Sequence, residues 1–137
     1  MIFIDTNIAI ALRDMHKETQ AKVRALEETP AISLMTRIEL ENGAQKEPAG
    51  TNNRRRLLDL LLRELPIVFF NHADIIAYGG IVYDLGFDRR LTLDRLIAAQ
   101  AISRDARLIT MNGADFRRIE GLRLEEWPAM RGAAKAS

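Results

Sequence analysis

Ile2-Phe3-Ile4-Asp5-Thr6-Asn7 is an apolar run that stops on a carboxylate. The pattern returns along the chain. Ala31-Ile32-Ser33-Leu34-Met35 is followed by Glu39, and Leu108-Ile109-Thr110-Met111 by Asn112 and Asp115, while Asp94 heads the apolar stretch Leu96-Ile97-Ala98-Ala99. In a parallel sheet the strand ends that lead into helices converge on one edge, where open α/β folds bind their ligands. Carboxylates gathered at such an edge repel one another and shift each other's pKa values unless a cation neutralises them. Oxygen-only donors suit Mg²⁺ or Mn²⁺ rather than zinc. The sequence therefore points to metal-assisted chemistry on phosphate.

A length of 137 residues with 47% hydrophobic content fits one domain with a sizeable core. No apolar run approaches the roughly 20 residues that span a bilayer, and Asp5 interrupts the amino-terminal run at once, so the expectation is a cytoplasmic protein without a secretion signal. The absence of cysteine excludes disulfides and thiolate metal sites. His16 and His72 are not in a paired ligand spacing, which argues against zinc. The net charge of +1 is uninformative by itself, but Arg54-Arg55-Arg56, Arg89-Arg90 and Arg117-Arg118 form local basic clusters.

Short β-rich runs alternate with longer helical patterns, which predicts βαβ units in an α/β fold: a central parallel sheet of about four to five strands flanked by helices. Strands are expected over 2–4, 32–35, 66–70, 108–111 and 122–124. Helices are expected over 8–13, 17–28, 36–43, 54–65, 73–85 and 93–104, with Gly86 as a cap. In the fourth helix Leu57, Leu58, Leu61, Leu62 and Leu65 make an apolar face, and Leu60 falls outside it. Residues 44–53, with Pro48 and Gly50, read as a loop. One domain over 1–130 and a frayed tail over 131–137 complete the expected organisation.

Each acid also has a purely structural reading. Thr36 and Glu39 fit a capping box, Asp94 suits the positive end of a helix dipole, Asp5 can cap the first helix, and Asp115 can cap a turn before Phe116. Taken together that reading weakens, because an acid that ends an amino-terminal strand lies near the sheet's centre or its ligand edge. Capping and chemistry are also compatible in one side chain.

Met1 to Asn7, Ile38-Glu39-Leu40, Asp94-Arg95-Leu96-Ile97-Ala98-Ala99 and Leu108 to Asn112 with Asp115-Phe116, in this order, resemble a PIN domain. The closing stretch from Asp115 to Trp127 resembles the bacterial VapC-type toxins of type II toxin–antitoxin pairs. The resemblance implies an endoribonuclease toxin that hydrolyses RNA phosphodiester bonds and is neutralised by a cognate VapB-type antitoxin. It implies a Mg²⁺- or Mn²⁺-dependent site with Asp5 and Asp94 as metal ligands and Glu39 completing the set or holding a water. Asp5, Glu39, Asp94 and Asp115 are then the catalytic candidates. Many PIN domains have an aspartate where this chain has Asn112, so Asn112 and Asp115 compete for the fourth position. Thr6 is expected to orient a ligand or water, and Thr110 reads as a simple strand residue. Such toxins commonly form homodimers, and their antitoxins often place a basic side chain in the acidic site.

For the substrate, Arg89 and Arg90 just ahead of Asp94 are candidate phosphate contacts. So are Arg54, Arg55 and Arg56, since cations at a helix start oppose its dipole. Aromatic content of 6% leaves little for base stacking, which favours recognition of a structured RNA through backbone and shape. Leu60, with part of its helix, can alternatively form a groove for an antitoxin segment. The competing reading is a non-catalytic PIN-like module that binds RNA or protein. A phosphoacceptor domain is disfavoured because Asp5 lacks an acidic neighbour, and an aspartyl phosphatase because no second aspartate stands two residues on.

Overall fold

The computed structural model describes residues 1–48 and 52–130. Five parallel strands and six helices alternate along it: β1 Ile2–Ile4, α1 Thr6–Arg13, α2 Lys17–Arg24, β2 Ile32–Ser33, α3 Leu34–Gln45, α4 Asn53–Leu62, β3 Ile67–Val68, α5 His72–Leu85, α6 Thr92–Ser103, β4 Arg107–Thr110 and β5 Arg123–Glu126. Strands β1, β4 and β5 form one sheet with β4 in the middle, and β2 pairs with β3. A parallel bridge between Phe3 and Ala31 joins the two groups, with Ala31 N–H donating to the Ile2 carbonyl at 2.8 Å and Ile4 N–H to the Ala31 carbonyl at 3.1 Å. The expected parallel sheet is therefore present, divided because β2 and β3 are only two residues long each.

Strand β1 is apolar at every position because both its faces are covered. Phe3 packs with Leu108 beneath Ile97, Ala98 and Ala101 of α6 and Ile81 of α5. Ile2, Ile4 and Ile109 point the other way, onto Ile8, Leu40, Leu58 and Leu65. The alanines of α6 are fully buried, so this helix lies close against the sheet. The register Ile4 opposite Ile109 then fixes where both strands end.

Several sequence boundaries shift for identifiable reasons. Leu34 and Met35, expected in a strand, form the first turn of α3 because the Ser33 hydroxyl accepts the Met35 N–H at 3.0 Å and caps the helix there. Thr36 is consequently not a cap, and Glu39 makes no capping box. Helix α2 stops at Arg24, α3 runs on to Gln45 into the expected loop, and β5 lies at Arg123–Glu126. Gly86 ends α5 with φ of 82°, a conformation that favours glycine. Leu60 is 49% exposed, as its position off the apolar face requires. Gly50 and the tail over 131–137 lie outside the described residues.

Helix α5 is fastened to α6 through Asp74, which is fully buried. Asn71 and Asp74 form a reciprocal capping box, and Ser103 and Arg104 donate to the same carboxylate. Burial pushes the Asp74 carboxyl up, but these donors outweigh it and hold it below the ordinary carboxylate range. Its ionised form thus contributes stability above the unfolded value of 3.8, and that contribution is lost as pH falls below it. Replacing Asp74 by alanine is expected to cost about 3 kcal/mol in urea unfolding at neutral pH, with the difference from wild type shrinking as the carboxyl is protonated.

Candidate active site

The edge at which β1 and β4 end carries a cleft of about 410 Å³. Asp5, Thr6 and Asn7 line it from the start of α1, Glu39 from α3, Asp94 from α6, and Asn112 from the turn after β4. Five of the predicted positions, Asp5, Thr6, Glu39, Asp94 and Asn112, thus meet on one wall system. Asp5 is 4% exposed. One of its oxygens caps α1 by accepting the Thr6 N–H at 2.8 Å, and the other accepts the Thr110 hydroxyl at 2.7 Å. Cap and candidate ligand are one side chain.

Thr6 bridges the first helix to the third. Its hydroxyl donates to Glu39 Oε1 at 2.7 Å and stands 3.0 Å from the Thr36 hydroxyl. Thr6 therefore orients Glu39, and Thr36 acts here rather than as a cap. Thr110 is not a simple strand residue either: besides holding Asp5, its hydroxyl oxygen accepts the Asn112 N–H at 2.9 Å. Asn7 adds a second tether by accepting the Met111 N–H at 3.3 Å. The signal for Thr110 was the register, which sets the residue after Ile109 beside the residue after Ile4.

Asn112 and Asp115 act as a unit. The Asn112 amide donates to Asp115 at 2.6 Å, so the amide lines the cleft and the carboxylate stands behind it. Arg90 reaches the other Asp115 oxygen at 3.6 Å, while Arg89 is exposed. The Arg54–Arg56 cluster is largely engaged elsewhere: Arg54 with Glu47, and Arg55 with Glu41 and Asp59. Its cations sit at a helix start because neighbouring acids balance them. The Glu47 carboxylate accepts the Arg54 N–H at 2.9 Å where Asn52 provides no side-chain cap. Arg117 is likewise paired with Glu126. Sequence reasoning missed Asn42 on α3 and Lys46 at its C-terminal cap, which line the cleft. Their spacing from Glu39, i+3 and i+7, was the available signal.

The electrostatics show a site short of positive charge. Burial raises the Asp5 carboxyl above 3.8, the Thr110 and Thr6 donors pull it back, and the charges of Glu39 and Asp115 push it up again. Asp94 is driven to about 7, first by burial, then by Asp5, Asp115 and Glu39 and by a hydrogen bond with Asp115. That last contact joins two carboxyl groups, which both ionised would repel. Among the described residues no three such side chains are grouped closely enough to hold a metal ion as they stand. The donor chemistry nonetheless fits a hard divalent cation: oxygens only, mutually repelling, with a carboxyl-to-carboxyl contact that positive charge would replace.

The PIN domain family model matches residues 2–122. Ribonuclease VapC2 of Rickettsia felis is 32% identical over 130 residues, covering 90% of this chain and 96% of the relative. The chain belongs to the PIN-domain family, among the VapC ribonucleases. The tRNA(fMet)-specific endonuclease VapC of Shigella flexneri is 27% identical over 127 residues, with 90% and 96% covered. Among solved structures, VapBC2 of Rickettsia felis bound to a promoter DNA fragment superposes with a TM-score of 0.82 at 30% identity, over 93% of this chain and 99% of that one. DNA-bound VapBC from Salmonella typhimurium gives 0.78 at 27% identity, over 92% and 97%. No described helix is long and apolar enough to cross a membrane.

The raised Asp94 value has a direct consequence for this PIN domain. Because the carboxyl titrates higher in the folded chain than its ordinary 3.8, ionising it costs stability, and metal-free stability falls as pH rises from there through about 7. Thermal melts should show that fall between about pH 5 and 8. Asp94→Asn should flatten it, and Mn²⁺ should raise the melting temperature of wild type at the upper pH far more than that of the variant.

Proposed function

We propose that this VapC-type ribonuclease is a Mg²⁺- or Mn²⁺-dependent endoribonuclease that cuts RNA with water and is silenced by a VapB-type antitoxin. The observation that carries the reading is the convergence of Asp5, Glu39 and Asp94 on one cleft, with Asp94 raised to about 7 by burial and then by its acidic neighbours. Asp5 and Asp94 are the residues to hold the cation, Glu39 completes the set, and Asp115 supports it through Asn112. When bound, a divalent cation supplies charge to the phosphoryl oxygens and acidifies a water. Glu39 keeps its Oε1 on the Thr6 hydroxyl, and its other oxygen has no hydrogen-bond partner among the described residues. That oxygen accepts the proton of the attacking water. Thr6 and Thr110 fix the carboxylates in place, Asn7 tethers the turn after β4, and Arg90 beside Asp115 draws the RNA backbone toward them.

The substrate is a structured RNA. The name of the Shigella flexneri relative makes tRNA(fMet) the first one to test. The structural neighbours are toxin–antitoxin complexes, and this chain offers an apolar groove of about 850 Å³ between α1, α2 and α4, lined by Leu12, Val23, Leu26, Leu57, Leu60 and Leu61. Apolar side chains of the antitoxin dock there. A homodimer forms through α5, whose outer stripe of Ile76, Gly79, Gly80 and Tyr83 continues to Phe87. Ile76, Tyr83 and Phe87 are each more than half exposed, and the two glycines have open space beside them for a second backbone.

Total RNA and purified tRNA(fMet), incubated without metal and with Mg²⁺ or Mn²⁺, test the activity. Discrete cuts bearing 5′-phosphates are expected only with metal, falling by about 100-fold or more in Asp5→Asn. Folded protein that cuts nothing with either metal supports a binding module instead. For the assembly, Tyr83→Arg is expected to sediment as a monomer where wild type sediments as a dimer.

A further inference from the structure

An acidic cleft that works on RNA needs cations beside it, and Arg54 and Arg55 of the sequence's largest basic cluster are spent on Glu41, Glu47 and Asp59. Helix α3 supplies a different one. Glu39, Asn42, Gly43 and Lys46 follow one another at i, i+3, i+4 and i+7, and all four line the cleft. Lys46 is the only cationic side chain in that lining, and it forms no ion pair among the described residues. Its acidic neighbour Glu47 is already taken by Arg54. A lysine at the end of a helix is also favoured by the dipole, but a dipole partner need not lie along the wall of a catalytic cleft.

From Glu39 to Lys46 the helix rises about 10 Å. The ammonium group is therefore placed for a phosphate next along the strand, not for the one being cut. Arg90, tied to Asp115, belongs to a separate element and does not line the cleft. We infer that Lys46 grips the RNA phosphate flanking the cleaved bond along α3, with Asn42 between it and Glu39 contacting the intervening ribose. The inference rests on the ribonuclease reading, and it makes Lys46 a substrate-positioning residue rather than a participant in the chemistry.

Binding of fluorescein-labelled tRNA(fMet), followed by anisotropy over 50–300 mM salt, tests it. The variants are made in an Asp5→Asn background that silences cleavage. Lys46→Ala should weaken binding by roughly 5- to 10-fold at low salt and flatten the log–log salt slope by about 0.7. Lys46→Arg should restore both, and Lys17→Ala, an exposed lysine on α2, should change neither. In otherwise wild-type protein, Lys46→Ala should raise KM and leave kcat within about 2-fold. An unchanged salt slope in Lys46→Ala, or an equal loss in Lys17→Ala, overturns the proposal while leaving the nuclease intact. RNA that is bound but never cut overturns the ribonuclease reading, and the slope still decides Lys46. RNA that is neither bound nor cut overturns both.

Discussion

A carboxylate buried to 4% exposure at the end of a central strand is the constraint around which this molecule is arranged. Asp5 has its charge disfavoured by burial and by Glu39 and Asp115, and favoured by only two neutral donors, the Thr6 N–H and the Thr110 hydroxyl. An isolated buried charge is expensive. Two hydrogen bonds soften that cost, and Asp5 still titrates above its ordinary value. The surrounding structure is organised to keep this carboxylate in place, and it leaves the charge itself unmatched.

The fold keeps it in place by giving each supporting residue a structural task as well. Asp5 starts α1, Thr6 ties α1 to α3 through Glu39 and Thr36, and Thr110 links the ends of β1 and β4. Removing any one of them disturbs packing as well as chemistry. That coupling gives the site rigidity, since groups on strand and helix ends are held more closely than groups on loops. Asp94 is different. It sits in the first turn of a helix with no side-chain cap at its start, and it absorbs the repulsion of the others by titrating at about 7.

The sequence showed the sheet edge well because β1 and β4 are buried on both faces, so their apolar runs end where the strands end. It showed β2 poorly for a related reason: the apolar run continues through Leu34 and Met35, and periodicity cannot separate a buried strand from a buried first helical turn. The Ser33 cap decided between them. The spacing of Thr36 and Glu39 imitates a capping box from inside a helix, which only the position of the true cap reveals. Arg54 and Arg55 looked free because Glu47 and Glu41 lie seven and fourteen residues before them, although Asp59, four residues on along α4, was within reach of the helical spacing. Lys46 was overlooked because a single lysine makes no cluster. Its meaning comes from the face of α3 that it shares with Glu39. Asp5, Glu39 and Asp115 were legible from where apolar runs stopped, and Asp94 from the apolar helix it heads.

Anomalous diffraction from crystals soaked in Mn²⁺ tests the central claim most directly. The account predicts a single dominant peak in the cleft, bonded to the carboxylates of Asp5 and Asp94, with the contact between Asp94 and Asp115 released. A cleft without a peak at millimolar Mn²⁺, with Asp94 still hydrogen-bonded to Asp115, would contradict it. The acids would then answer their mutual repulsion with a proton instead of a cation.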